Sequence, residues 1–235
     1  MSLTGIFPID KWDYNSRSIL TDIKSGDYEN LFRHSVEEKY ARGEVIFREK
    51  AEPNGIFYIK SGMVKKYKVD NFGKEKIFYV ANIGELIGYH ALLSAERYPD
   101  SAAALEESMI CFIPKEDFLN ALDQSPGLSK MLLKTLSHEF GVLANNISVL
   151  AQRSVRERLA IALIVLREKY KKNVKEGQPI SINLSRDDIS SMVGTTRENV
   201  VRILRDFKDE QLIETKGRKI WITDVNKMAA ISTYK

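Results

Sequence analysis

The sequence predicts an α+β chain: an antiparallel β-roll or jelly-roll barrel first, a long helix next, and a small helical segment closed by a two-stranded hairpin last. Three observations carry this prediction. Between Glu37 and Ile113, short runs rich in Val, Ile, Phe and Tyr alternate with turn signals at close spacing. Between Leu133 and Leu150, apolar residues recur every three or four positions. From Ser185 onward, two short helical patterns meet at Gly194 and lead into alternating apolar runs around Lys216-Gly217-Arg218.

The 235 residues suffice for two modest domains with their own cores. We divide them into a β-roll segment (1–125), a helical segment (126–152) and a C-terminal segment (153–235). No window reaches the ~18 consecutive apolar residues of a membrane span. The start, MSLTGIFPIDKWDYN, lacks the basic and apolar regions of a secretory signal, so a cytoplasmic address without membrane partners is expected. The single cysteine, Cys111, lies in the apolar run MICFI and reads as a core residue. The net charge of +4 is unevenly placed: from Gln152 onward, eighteen Lys and Arg stand against eleven Asp and Glu, a local +7. Phosphate-binding proteins need such a concentrated basic excess.

Taken in order, the residues before about Tyr28 show little periodicity and read as a lead-in. The strand candidates are VIFREK, GIFYIKSGMVKKYKV, KIFYVANIGEL and SMICFI. They are punctuated at Pro53-Asn54-Gly55, Ser61-Gly62, Asn71-Phe72-Gly73 and Asn82-Ile83-Gly84, a spacing that favours an antiparallel roll over βαβ units. Pro114 ends the last strand, KEDFLNALDQ makes a short helix, and Pro126-Gly127 opens the long one. On that helix Leu133, Leu136, Phe140, Leu143, Ile147 and Leu150 form an a/d seam, which predicts pairing with a second copy. Packing of the seam on the chain's own roll is the alternative. Val155 to Lys172 reads as an amphipathic helix, the KKNVKEGQP stretch as a solvated linker, and ISINL as a short strand.

The segment SRDDISSMVGTTRENVVRILRDF reads as a helix-turn-helix. Ser185 suits an N-cap, Ile189, Met192 and Val193 give one apolar face, and Gly194 suits a helix end of positive φ. Thr195 or Thr196 caps the next helix, and Val200, Ile203, Leu204 and Phe207 form its inner side. Thr196, Arg197, Glu198, Val201 and Arg202 are thereby left at the end that meets base edges in a major groove. A solvated surface hairpin would use the same residues. The following QLIETKGRKIWIT argues against it, because a β-hairpin with Lys216 and Arg218 near its tip makes a wing placed for phosphate.

In this order of parts, and at RENVVRIL, LIETKGRKIWI and GELIG (Gly84 to Gly88), the chain from Leu31 to Thr223 closely resembles the Crp/Fnr family of bacterial transcription regulators. The resemblance implies a homodimer, an effector site in the roll, allosteric control of double-stranded DNA binding, and RNA polymerase as a partner. Carried over by position, Arg197, Glu198 and Arg202 fall where the family reads bases. Arginine can bond guanine O6 and N7, and glutamate can accept from cytosine N4, so a pseudo-palindromic operator with G·C pairs is expected. Val201 is bulkier than the small residue of the cyclic-AMP-binding relatives.

The effector position departs from those relatives. Their Arg-Ser pair is matched by Asp100-Ser101, whose aspartate would repel a phosphate. The polar pair on their long helix is matched by Leu143-Ala144. Cyclic AMP is therefore not expected. A four-cysteine iron–sulfur cluster is excluded by a single cysteine. Haem is not expected either, since His90 is the only axial candidate in the roll. The candidate lining of an unidentified small-molecule effector site is Glu85, Tyr89, His90, Arg97 and Ser101, closed by Phe140 and Leu143.

No nucleophile–base pair, paired carboxylates or metal-ligand spacing suggests an enzyme. A second reading within this architecture is a constitutive DNA binder with an empty roll. A reading of a different class, a cyclic-nucleotide-binding module acting on a protein partner, is argued against by the winged helix-turn-helix.

Overall fold

The computed structural model describes residues 3, 5–21, 25–172, 174 and 177–232; part of the expected KKNVKEGQP linker lies outside them. By their contacts the described residues form two compact units. One comprises Tyr14–Val69 and Phe78–Gly141; the other comprises Met1–Asp13, Asp70–Ile77 and Val142–Lys235.

The first unit begins with the short helices α1 (Ser18–Thr21) and α2 (Ser25–Leu31). The strands β1 (Val36–Tyr40), β2 (Val45–Phe47), β3 (Gly55–Ser61), β4 (Met63–Val69), β5 (Glu75–Asn82) and β6 (Leu86–Ile87) follow. Helix α3 (Tyr89–Ser94), strands β7 (Ser101–Ala104) and β8 (Ser108–Pro114) and helix α4 (Lys115–Gln124) complete the roll. The strands make two four-stranded sheets, ordered β1-β8-β3-β6 and β2-β7-β4-β5. Pairings such as Ile56↔Ile113 and Val64↔Ala104 are antiparallel. A core of Ile19, Leu31, Ile56, Leu86, Tyr89, Cys111, Ile113, Phe118, Leu128 and Leu132 ties the first sheet to its helices. Cys111 is buried there, as its apolar neighbours indicate.

Helix α5 runs without a break from Pro126 to Gln152. It carries two stripes. Leu128, Leu132, Thr135, Glu139, Val142 and Val149 are buried, whereas Leu133, Phe140 and Ile147 are 66, 75 and 68% exposed. One residue of helix turns a side chain by about 100°, so neighbours such as Glu139 and Phe140 serve different faces.

The second unit adds α6 (Val155–Lys171), β9 (Ile182–Asn183), α7 (Arg186–Val193), α8 (Arg197–Asp209), β10 (Ile213–Lys216), β11 (Lys219–Ile222) and α9 (Val225–Ser232). Ser154 caps α6 in a reciprocal box with Glu157, which satisfies orphan amides at both residues. The expected amphipathic face of α6 is wider in the structure: Leu159 through Ile161, Leu163 through Arg167, and Lys169 and Tyr170 are all buried. The cause is that α7, α9 and β9 pack around it.

The lead-in expectation is corrected. Phe7, Trp12, Tyr14 and Ile19 are all buried, so the first residues contribute to packing rather than trailing from it. Helices α1 and α2 and strand β1 were not anticipated, nor were three elements further along the chain. Strand β7 reads SAAA, residues of low β-propensity that fit only because β2 and β4 flank it. Helices α3 and α9 are a six- and an eight-residue element, too short for a period to show.

Candidate nucleic-acid interface and effector pocket

Helices α7 and α8 are joined by a turn set by local chemistry. Ser185 accepts from the Asp188 amide, and Asp187 and Asp188 stand in the first turn, where carboxylates complement the helix dipole. Gly194 ends α7 at φ +71°, a left-handed conformation that glycine adopts without a Cβ penalty. Thr196 then caps α8 by accepting from the Asn199 amide at 3.2 Å. Val200, Ile203, Leu204 and Phe207 are buried beneath α8. Thr196, Arg197, Glu198, Val201, Arg202 and Arg205 are exposed on the other side.

This exposed row is electrostatically prepared. The carboxyl of Glu198 is held below its ordinary pKa, first by the backbone amide it accepts from and then by the Thr196 hydroxyl, so it is an ionised acceptor. Arg202 donates to Asn199 Oδ1 at 2.7 Å, with Asp206 3.5 Å away, which limits its rotamers. Arg197 lies 3.9 Å from Asp187.

The hairpin follows at once. β10 and β11 pair antiparallel from Ile213↔Ile222 to Lys216↔Lys219, which leaves Gly217 and Arg218 as a two-residue turn. Lys216, Arg218 and Lys219 are exposed at its tip. A residue not singled out beforehand holds that tip: Arg186 donates to the carbonyls of Arg218 at 3.1 Å and Gly217 at 3.2 Å. A cation in the first turn of a helix opposes the dipole. That misfit was the available signal of a tertiary partner.

In the roll, the candidate effector residues are already engaged. Tyr79 donates to Glu85 at 2.5 Å, and Glu85 also accepts from the Asn82 amide. The Ser101 hydroxyl accepts from the Glu49 amide at 2.9 Å. Asp100 pairs with Lys66 at 3.3 Å, both side chains being buried. Tyr89 donates its hydroxyl to Glu139, and His90 Nε2 lies 2.7 Å from the same carboxylate.

Three members of the expected lining are corrected. Arg97 is exposed, donating to the Lys50 carbonyl at 3.0 Å and lying 3.3 Å from Glu52. Phe140 and Leu143 lie on the outer stripe of α5, and Glu139 is the residue that this helix turns inward. Of the carboxylates in this part of the roll, Asp100 faces Lys66, Glu139 faces Tyr89 and His90, and Glu85 accepts from Tyr79 and the Asn82 amide.

A helix-turn-helix with an exposed basic row, joined to a wing and preceded by a β-roll, defines a DNA-binding transcription regulator. The model for the cyclic nucleotide-binding domain matches residues 37–125, and that for the Crp-like helix-turn-helix domain matches residues 157–231. A cyclic nucleotide-binding domain followed by a Crp-like helix-turn-helix domain is the arrangement of a Crp/Fnr-type transcription regulator.

It is 28% identical over 191 residues to the fumarate and nitrate reduction regulatory protein of Salmonella typhimurium, covering 81% of this chain and 76% of that one. It is likewise 28% identical to the transcriptional activator protein anr of Pseudomonas aeruginosa, over 81% of this chain and 78% of the relative. Among solved structures, FixK2 from Bradyrhizobium japonicum matches with TM-score 0.74 at 19% identity, over 84% of this chain and 96% of its own. The global regulator CLP of Xanthomonas campestris matches with TM-score 0.73 at 20% identity, over 86% of this chain and all of its own. These two likenesses speak for the fold. Among the described residues no helix is long and apolar enough to cross a membrane.

Proposed function

We propose that the chain acts as a homodimer that reads a pseudo-palindromic operator and responds through its β-roll to a small molecule other than a cyclic nucleotide. The observation that carries this reading is the division of α8, with four buried apolar residues on one side and Arg197, Glu198, Val201 and Arg202 exposed on the other. Arg197 and Arg202 serve as guanine readers, Glu198 as the acceptor for a cytosine amine, and Val201 as the apolar neighbour. Lys216 and Arg218 neutralise flanking phosphate. The exposed residues Leu133, Phe140, Leu143, Ile147 and Leu150, flanked by Leu136, which is half-buried against the roll core, supply the dimer seam, and a twofold axis along it gives two recognition helices one duplex turn apart. Bound in this way, the dimer acts from the cytoplasm on RNA polymerase at nearby promoters.

Selection from random duplexes by the purified, ligand-free protein tests the reading. Recovery of an inverted repeat with G·C pairs in each half-site is expected for a form already competent to bind. Recovery of a single asymmetric site would overturn the dimer. Failure to retain any sequence, with the fold intact, would place the ligand-free form in a state unable to bind and direct the search to the roll.

A further inference from the structure

The lead-in brings an aromatic ring into the roll beside the candidate effector residues. Tyr14 is 4% exposed and stacks on Tyr79, with ring centroids 3.6 Å apart and planes within 4°. Its backbone amide donates to the Tyr79 hydroxyl at 3.0 Å, and that hydroxyl donates in turn to Glu85. The ammonium of Lys66, paired with Asp100, lies 5.9 Å from the Tyr14 ring centroid. Two residues on, the Ser16 hydroxyl accepts from the Leu86 amide at 3.1 Å, inside the GELIG turn. Ser18 then reaches α5, its hydroxyl 3.3 Å from that of Thr135.

We propose that the β-roll holds a site for an uncharged phenol ring, that the chain's own Tyr14 is its ligand, and that this built-in ligand stands where relatives with an arginine would hold a cyclic phosphate. The proposal rests on the regulator reading above and names the occupant of its effector position.

Four features agree with it. Glu85 reaches the Tyr14–Tyr79 stack through the Tyr79 hydroxyl, and the Lys66–Asp100 pair lies beside the Tyr14 ring, so the ring is packed among the polar groups of the roll. The phenol is pushed far above its ordinary pKa, first by burial and then by Glu139, Asp100 and Glu85, so the ring is kept neutral among carboxylates. A buried tyrosine removes about 150–250 Å² from water, the kind of area a small ligand would otherwise cover. Through Ser18 and Thr135 the same strap touches the helix that carries the exposed seam, which gives occupancy of the roll a physical path to α5.

The test is chemical rescue in the full-length protein. Tyr14→Ala leaves a cavity shaped like p-cresol, the free side chain of tyrosine. Millimolar p-cresol is expected to raise the Tm of Y14A by several degrees and to leave the wild type unmoved, because its site is filled. An equal rise in both proteins, or in neither, would overturn the proposal. If Y14A does not fold, hydrogen exchange in the wild type decides: the amides of Tyr14 and Leu86 are expected to exchange as slowly as those of β3 and β8, and exchange at the rate of exposed turns refutes self-occupancy. Neither measurement uses DNA, so both stand even if no operator is found. Where an operator is available, Y14A should change its affinity by about fivefold or more, with p-cresol restoring the wild-type value. An unchanged affinity would refute the link to α5.

Discussion

Ser191 and Glu75 are joined by a hydrogen bond in which the Ser191 hydroxyl donates to the Glu75 carbonyl at 2.6 Å. The same hydroxyl accepts from the Ile77 amide at 2.9 Å, so one side chain of α7 completes two backbone groups of the 70–77 segment. Lys76 adds a bond from its ammonium to the Met192 carbonyl at 3.3 Å, and Arg158 donates to the Gly194 carbonyl at 3.3 Å. The first helix of the helix-turn-helix is thus fastened at its C-terminal end by residues distant in sequence. Fixing α7 fixes the turn from which α8 projects.

Ser191→Ala removes both bonds and leaves a buried amide at Ile77 without its acceptor. An unsatisfied buried donor costs about 1–3 kcal/mol. The expected result is a lower midpoint in urea unfolding of the full-length protein, with faster exchange at the Ile77 amide. A midpoint unchanged within error would mean the contact contributes nothing.

Lys76 gives a pH dependence of predictable sign. Burial first, then the charges of Arg158 and Lys74, lower its pKa to about 8 from 10.5. The unfolded chain therefore binds more protons than the folded one between those values, and stability contributed by this residue rises with pH across that window. Compared with Lys76→Met, the wild type should gain Tm from about pH 8 to 10.5 and hold a constant difference below pH 7. A flat difference across the window would show that Lys76 is not desolvated.

The two kinds of DNA contact separate by their selectivity. Arg197→Ala and Arg202→Ala should each cost about 1–3 kcal/mol on the selected operator, with little loss on random DNA. Lys216→Ala and Arg218→Ala should weaken both alike and lower the salt slope of binding by about one each. Fluorescence anisotropy over a salt series reads both effects. Equal losses on both DNAs for Arg197 would reassign it to phosphate.

The outer stripe of α5 tests assembly. Leu133→Glu and Ile147→Glu change exposed positions, so the protomer should keep its Tm within a few degrees while sedimentation shifts from dimer to monomer. Operator affinity should fall with it, because each half-site is then bound alone. A dimer that survives both changes would place the interface elsewhere.

Much of this architecture was legible before any coordinates. Helix ends and turns follow from nearby residues: Ser185 and Thr196 accept from amides three positions on, and the Gly194 amide donates to the Ser190 carbonyl four positions back. The wing followed from alternation around Gly217, and the outer stripe of α5 from its period. The effector residues were less legible. Glu139 lies in a regular stripe of buried positions, where a carboxylate in place of an aliphatic side chain was the overlooked mark of a polar pocket. The aromatic run of Phe7, Trp12 and Tyr14 was likewise unlike a solvated tail.

By itself, the sequence determined the class of the protein, its succession of roll, long helix and winged helix-turn-helix, and the side of α8 left open. Those outcomes depend on periodicity and capping, which act over a few residues. Tertiary structure alone decided that Tyr14 stacks on Tyr79, that Ser191 completes Glu75 and Ile77, and that Arg186 holds the wing. Each of these joins groups at least 31 positions apart in the chain, or shares one polar group among several competing partners. Which partner wins is set by the packing of the surrounding core, which no local pattern encodes.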